Sequence, residues 1–230
     1  MSDAAEPPDL PDDRRGVVAG HVAIEIARQL AEPVRALRDR LGLVVDLLER
    51  HVATSTGPTP YPWRSVQALR QDLGGAYLEV TALARRVDEL DRALADDAIG
   101  WFDLPAAVDL GLRLAGHHLA SGEGLELMID LGDPPPARGT PGTLALLVAH
   151  LATACARSAR ALPGSTLSVR VGGDGPWAVV LIADNGAGSP RLDQLRELAR
   201  SVLAPWGATV EAASAEGQGC AFELRLMTPE

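Results

Sequence analysis

The chain has 230 residues, of which 47% are hydrophobic, and a formal net charge of -10 at pH 7. This length and apolar content allow one large core or two small ones, and the acidic balance disfavours a nucleic-acid-binding surface. Cys155 and Cys220 lack metal-site or CxxC spacing, so we predict neither a disulfide framework nor a metal site, and a reducing compartment fits. No apolar run reaches the roughly 20 residues of a membrane span, so we expect a cytoplasmic protein without membrane contact.

The N-terminal part begins with an acidic, proline-rich stretch. Residues 1–15 have little to bury, so we predict a disordered lead-in. From Gly16, apolar residues recur at spacings of four and three, which predicts a long helix with a coiled-coil-like seam. This first seam comprises Val22, Ile26, Leu30, Val34, Leu37, Leu41, Val44 and Leu48. Pro33 lies inside the helix and predicts a kink, because it removes one backbone hydrogen bond.

A second seam follows the turn-rich connector 53–62. It comprises Val66, Leu69, Leu73, Tyr77, Val80, Leu83, Val87, Leu90 and Leu94. Two long helices joined by a short connector predict an antiparallel hairpin over residues 16–97. Further apolar residues widen its face, namely Leu43, Leu47, Ala76 and Ala84. A dimeric four-helix bundle through helices 16–52 and 63–95 would cover that face, and the alternative is packing of the hairpin on its own C-terminal domain.

The pattern of apolar residues changes after residue 97 from long heptad-like seams to shorter runs. This change places a second domain at 98–230. Apolar periodicity predicts helices over 104–119, 143–161 and 192–203. Alternating or short apolar runs predict strands over 125–131, 166–171, 178–183, 209–213 and 221–227, with a loop over 133–142. Helices against a largely antiparallel sheet predict an α+β sandwich.

One strand of this domain runs directly into an acidic, glycine-rich turn. The run 179–190 reads VVLIADNGAGSP, and its apolar start predicts a strand covered on both faces. Gly186 and Gly188 allow the backbone to approach a flat group closely, while the Asp184 carboxylate can accept a hydrogen bond from an amino group. The alternative is that these residues form only a turn.

The order of elements, with ADNGAG at 183–188 and EGQGCAFELRL at 216–226, resembles the sensor histidine kinases. The resemblance covers nearly the whole chain after residue 16. It implies a dimerisation and phosphotransfer hairpin followed by a catalytic domain of the GHKL ATPase family. In that family, the position of Asp184 contacts adenine.

The hairpin departs from the family at the phosphoacceptor. The family histidine lies five residues before a proline, and in ARQLAEPV that place is held by Arg28, with Gln29 replacing its usual neighbour. Arginine has no lone pair that could accept a phosphoryl group. His21, one heptad earlier, is the remaining candidate acceptor, and the alternative is a solvated histidine near the helix start.

The nucleotide side departs as well. Ala154 stands where the family has a magnesium-binding asparagine, and Arg157 stands at the basic position that follows it. The chain enters a helix soon after Gly188, which leaves no room for a lid, and RLDQLREL replaces the second glycine box. The resemblance therefore implies that Asp184, Gly186 and Gly188 are a vestigial nucleotide turn, and that ATP and magnesium binding are lost.

These departures favour a two-component signalling protein that works by binding. We expect a histidine kinase-like pseudokinase or adaptor that lacks kinase activity and docks a response-regulator receiver domain or a partner kinase. The docking residues are expected in the upper hairpin, at Ile24, Arg28, Gln29 and Leu37. One alternative is a histidine phosphotransferase of a phosphorelay that uses His21. Another is a nucleotide-binding regulator of the anti-sigma type.

Overall fold

The computed structural model describes residues 39, 41–44, 46, 50, 63–95, 98–120, 124–160 and 164–229. These residues belong to two compact units, one within Ile24–Glu89 and the other within Leu90–Glu230. The predicted acceptor and docking positions lie outside the described residues, namely His21, Ile24, Arg28, Gln29 and Leu37. The predicted kink at Pro33 also lies outside them.

The first unit contains most of one long helix, α1, which runs from Trp63 to Ala95. Its course agrees with the second predicted arm of the hairpin, while only positions 39, 41–44, 46 and 50 of the first arm are described, as helical. Five residues of α1 at four-three spacing are exposed, namely Leu73, Tyr77, Val80, Ala84 and Val87. Four of them belong to the predicted second seam, and Ala84 is one of the residues predicted to widen it; we call these five residues the seam of α1.

The second unit is an α+β domain, as predicted. Its helices are α2 (Leu104–Ala120), α3 (Pro141–Ala159) and α4 (Leu192–Leu203), with a 3-10 turn at Ala204–Trp206. Its strands are β1 (Gly100–Phe102), β2 (Glu126–Leu131), β3 (Ala137–Gly139), β4 (Thr166–Asp174), β5 (Trp177–Asp184), β6 (Thr209–Ala215) and β7 (Gly219–Met227). Each of these helices is therefore followed by a pair of strands, and the strands form one sheet and one short ribbon.

The main sheet is mixed, with the strand order β2-β4-β5-β7-β6. β2 runs parallel to β4, and the other neighbouring strands are antiparallel. β1 and β3 form a separate antiparallel ribbon in which Trp101 pairs with Arg138. The sequence predicted no strand at residues 100–102 and a loop at residues 137–139, because a three-residue strand is too short to show an alternating pattern.

The core lies between the helices and one face of the sheet. On β5, Ala178, Val180 and Ile182 are fully buried, whereas Val179 and Leu181 are only half-buried. The prediction of a strand covered on both faces was therefore wrong. Antiparallel strands need no crossover helix on the second face, so one side of such a sheet can remain open.

Helix α3 is the centre of the domain. α2 crosses it closely, since a Cβ added at Gly111 would lie 2.5 Å from the carbonyl oxygen of Ala145. The length of α3 and its mean hydropathy of 1.2 would allow it to cross a membrane. Because 78% of that window is buried inside the protein, α3 has the character of a core helix in the described part of the chain.

Candidate functional site

The candidate site lies where β5 ends and the glycine turn, residues 184–188, begins. The last paired residues of β5 and β7 are Ala183 and Ala221, so Asp184 and Cys220 follow next to each other in the register. The buried stripe of α3 continues through Leu151 to Cys155, one helical turn later, and reaches the same place. Three elements thus bring a carboxylate and two thiols together.

Both carboxylate oxygens of Asp184 accept hydrogen bonds from the chain itself. Oδ1 accepts one from the backbone N–H of Gly186 at 2.8 Å. Oδ2 accepts from the backbone N–H of Cys220 at 3.3 Å and from its thiol at 2.8 Å. Asp184 is only 8% exposed. Its side chain therefore caps the turn and fastens the start of β7 to the end of β5.

The two cysteines touch. The Sγ atoms of Cys155 and Cys220 lie 3.4 Å apart, and both residues are buried. The hydrogen bond with Cys220, then burial, then the negative charge of Asp184 raise the pKa of the Cys155 thiol well above its usual range. The sequence did not reveal this pair because the two residues are far apart in the chain, and because their contact depends on the rotation of α3 as well as on the register of β5 and β7.

One side of the glycine turn is closed by the end of α3. A Cβ added at Gly186 would lie 2.2 Å from the carbonyl oxygen of Ser158, so only glycine fits this approach. The same carbonyl accepts the N–H of Ala187 at 3.2 Å, and the Ser158 hydroxyl oxygen accepts the N–H of Gly188 at 3.0 Å. The turn is therefore hydrogen-bonded directly to the end of α3.

The other side is closed by the β6–β7 hairpin. Gly219 has a φ of +80°, and a Cβ there would lie 2.0 Å from the carbonyl oxygen of Asp184. The N–H of Ser189 donates to the hydroxyl of Ser214 at 3.0 Å, and the N–H of Gly217 donates to the carbonyl of Ala187 at 3.3 Å. The hairpin thus covers the turn from the side opposite α3.

As a result, five consecutive backbone N–H groups around the turn already have acceptors. Those of residues 186–189 donate to Asp184, Ser158 and Ser214 as described, and that of Asn185 donates to the carbonyl of Thr166 at 3.3 Å. Phosphate cradles are built from N–H groups that point at the ligand. The turn offers none of its N–H groups in this way.

The other predicted positions lie on α3 and after the turn. Ala154 is half-buried and Arg157 is exposed, both within the part of α3 that adjoins the glycine turn. Only residues 189–191 separate Gly188 from the start of α4, the helix that the sequence predicted over residues 192–203. The structure therefore brings Asp184, Gly186, Gly188 and Ala154 into one region.

No protein-family model and no curated protein match the sequence. Among solved structures, the chain is similar to the histidine kinase AdeS of Acinetobacter baumannii, with 16% identity, 88% of this chain and 98% of that chain covered, and a TM-score of 0.48. It is also similar to a blue-light-activated histidine kinase domain of Erythrobacter litoralis, with 16% identity, 88% and 95% covered, and a TM-score of 0.47. The catalytic domain of the histidine kinase ThkA matches 58% of this chain over its full length, with 11% identity and a TM-score of 0.48.

Proposed function

We propose that this chain is a two-component signalling protein, a histidine kinase-like pseudokinase or adaptor that acts by protein contact without ATP-dependent autophosphorylation. The observation that carries the proposal is the closure of the glycine turn. The N–H groups of residues 185–189 and both oxygens of Asp184 are bonded to the chain itself.

The closure has an energetic consequence for nucleotide binding. Phosphate would need free N–H groups, so each such contact would have to replace an existing hydrogen bond, and adenine would have to share the buried Asp184 carboxylate with the three donor groups from which it already accepts. Exchanging an N–H group from the chain to phosphate gains no hydrogen bond and leaves a chain acceptor unpaired, at a cost of about 1–3 kcal/mol for each buried group. Ala154 also supplies no oxygen for magnesium, whose charge phosphoryl transfer requires.

The seam of α1 supports the proposed homodimer. Tyr77 is 72% exposed and Leu73 is 45% exposed, although both stand at the regular spacing of a coiled-coil seam. Exposed apolar residues in a continuous stripe are typical of a surface that another protein covers. A second copy presents the same stripe and completes a four-helix bundle, as in isologous dimers generally. The receiver domain or partner kinase then docks on the upper hairpin, residues 24–37.

Calorimetric titration with ATP and Mg²⁺ tests the loss of kinase chemistry. We expect no binding tighter than about 1 mM and no phosphate incorporation from radiolabelled ATP. An active histidine kinase domain in the same buffer is the positive control. Micromolar binding, with or without phosphate incorporation, would contradict the closed turn.

Incubation of the chain with a phosphorylated receiver domain distinguishes the adaptor hypothesis from the phosphotransferase hypothesis. The receiver domains of response regulators encoded near this gene are the natural set to screen. We expect a receiver that binds the chain to keep its phosphate. Acid-labile phosphate on the chain that disappears in His21→Ala, and persists in the control His150→Ala, would identify a phosphotransferase instead.

A further inference from the structure

We propose that Cys155, Asp184 and Cys220 bind one thiophilic divalent cation of the Zn²⁺ type. The sequence predicted no metal site, because these residues come from three separated elements, α3, the end of β5 and the start of β7. The proposal shares Asp184 with the closed turn on which the proposed function rests, but it requires neither a dimer nor a receiver domain, and its failure would leave the hydrogen bonds of the turn unchanged.

The spacing of the donor atoms suits such an ion. The two Sγ atoms and a carboxylate oxygen all lie within 4.8 Å of one another. Ligands held about 2.0–2.3 Å from a tetrahedral zinc ion lie roughly 3.3–3.8 Å apart. Two sulfurs, each about 2.3 Å from the ion, take the upper end of this range, so their present separation of 3.4 Å must widen by about 0.4 Å. The Cys220 sulfur and Asp184 Oδ2, at 2.8 Å, must open by about 0.5–1 Å, a shift that side-chain rotation supplies.

The charge of the cluster points to a cation. Asp184 is a buried carboxylate whose partners are two backbone N–H groups and one thiol. Among the described residues, no arginine or histidine forms an ion pair with it. Buried carboxylates are costly unless they are paired or coordinate a metal. A dication supplies the missing positive charge and favours the ionised form of both thiols.

The binding step balances without any redox change. Each thiol releases its proton to the solvent as its sulfur coordinates the metal, and Asp184 coordinates as the carboxylate. One dication thus replaces two protons and leaves the cluster with a net charge of -1. The hydrogen bond from the Cys220 thiol to Asp184 Oδ2 is exchanged for two metal bonds. Three protein ligands leave the fourth tetrahedral position to water.

Cobalt is the probe that reports both the ligands and the geometry. We expect the reduced full-length protein to bind one equivalent of Co²⁺, with sulfur-to-cobalt charge-transfer absorption and the visible bands of a tetrahedral ion. Zn²⁺ should displace the cobalt stoichiometrically. Competition with a chromophoric chelator should give a zinc dissociation constant below about 1 µM.

Variants separate this site from non-specific binding. Cys155→Ser and Cys220→Ser should lose the charge-transfer absorption, and Asp184→Asn should weaken binding at least about tenfold. Asp130→Asn, which changes an exposed carboxylate on β2, is the matched control and should bind like the unaltered protein. Because a cysteine variant could unfold, the thermal midpoint of the unaltered protein provides a second measurement. One equivalent of Zn²⁺ should raise it if the native state binds the ion.

Three outcomes would overturn the proposal. The first is zinc binding weaker than about 100 µM, and the second is cobalt absorption that persists in both cysteine variants. The third is a protein that binds no metal after reduction and whose intact mass is two hydrogens lower before reduction, since this would assign the sulfur pair to a disulfide. None of these results bears on ATP binding, so the proposed function would stand or fall separately.

Discussion

The glycine turn and the seam of α1 differ in what they leave exposed to solvent. The turn, where a ligand would be expected from the order of the elements, is filled by the chain's own atoms. The seam, on the surface of a single helix, leaves large apolar side chains in solvent. This difference is the basis for proposing a protein-binding surface along α1 and no nucleotide site at the turn.

One question applies to both regions: whether the single chain already satisfies the groups that a partner or ligand would need. A site for a polar ligand needs donors and acceptors that the protein does not satisfy, and the turn has none among its backbone N–H groups. A site for a protein partner needs apolar surface that the single chain does not bury, and the seam has five such residues in register. Each region can therefore be tested by adding or removing one such group.

Gly219→Ala should have the largest effect on stability, because Gly219 lies where the β6–β7 hairpin packs on the glycine turn. We expect the free energy of unfolding to fall by about 3 kcal/mol or more, from a Cβ forced onto the Asp184 carbonyl and from strain at positive φ. Gly217→Ala is the matched control, since Gly217 has a φ of +71° in the same hairpin but open space around it. Urea denaturation followed by circular dichroism measures both. Equal losses would mean that the hairpin does not press on the turn.

The double substitution Leu73→Glu with Val80→Glu should break the seam. Two carboxylates in the seam of each copy would lie at the centre of the proposed bundle, so the dimer dissociation constant should rise by about 100-fold or more. Ala82→Glu adds a charge to an exposed position outside the seam and should leave assembly unchanged. Light scattering across a concentration series gives the constants. A dimer that survives the double substitution would place the interface elsewhere.

Ser158→Ala tests a single bond of the closed turn. The N–H of Gly188 loses its acceptor in a part-buried place, and we expect a loss of about 1–2 kcal/mol in unfolding free energy. Ser201→Ala is the control, because the Ser201 hydroxyl donates to Leu198 of its own helix, whose removal should cost less. A Ser158 variant as stable as the control would show that the hydroxyl is not needed to hold the turn on α3, and that the contacts of the Ser158 carbonyl suffice.

Long periodic segments made the fold of the α+β domain readable from the sequence. The runs that became α3, β5 and β7 each carry enough apolar residues to show their period, and their bounds were predicted within about two residues. The ribbon of β1 and β3 was missed because its strands have three residues each. The open face of β5 was missed because a run of small and β-branched apolar residues looks alike whether one face or both are covered.

The candidate site was only partly readable. Asp184 and the glycines stand out locally, since a carboxylate and two glycines after an apolar run form a compact pattern. The contact between Cys155 and Cys220 depends on strand register and helix rotation together, which no short pattern encodes. The role of Ser158 was hidden for the same reason, because its carbonyl and hydroxyl act on a turn about 30 residues later.

Ala154→Asn should have the smallest effect of these substitutions. It tests most directly whether the closed glycine turn, and not the missing asparagine, prevents nucleotide binding. It restores the amide that the resemblance assigns to magnesium, on the part of α3 that adjoins the turn. One oxygen cannot hold a cation that needs several, and the phosphate that would bring the ion still finds no free N–H group. We therefore expect ATP and Mg²⁺ binding to stay weaker than about 1 mM by calorimetry, as in the unaltered protein. If this one substitution produced micromolar ATP binding, the hydrogen bonds of the turn would yield to the nucleotide at little cost. The missing asparagine alone would then explain why the unaltered protein does not bind ATP.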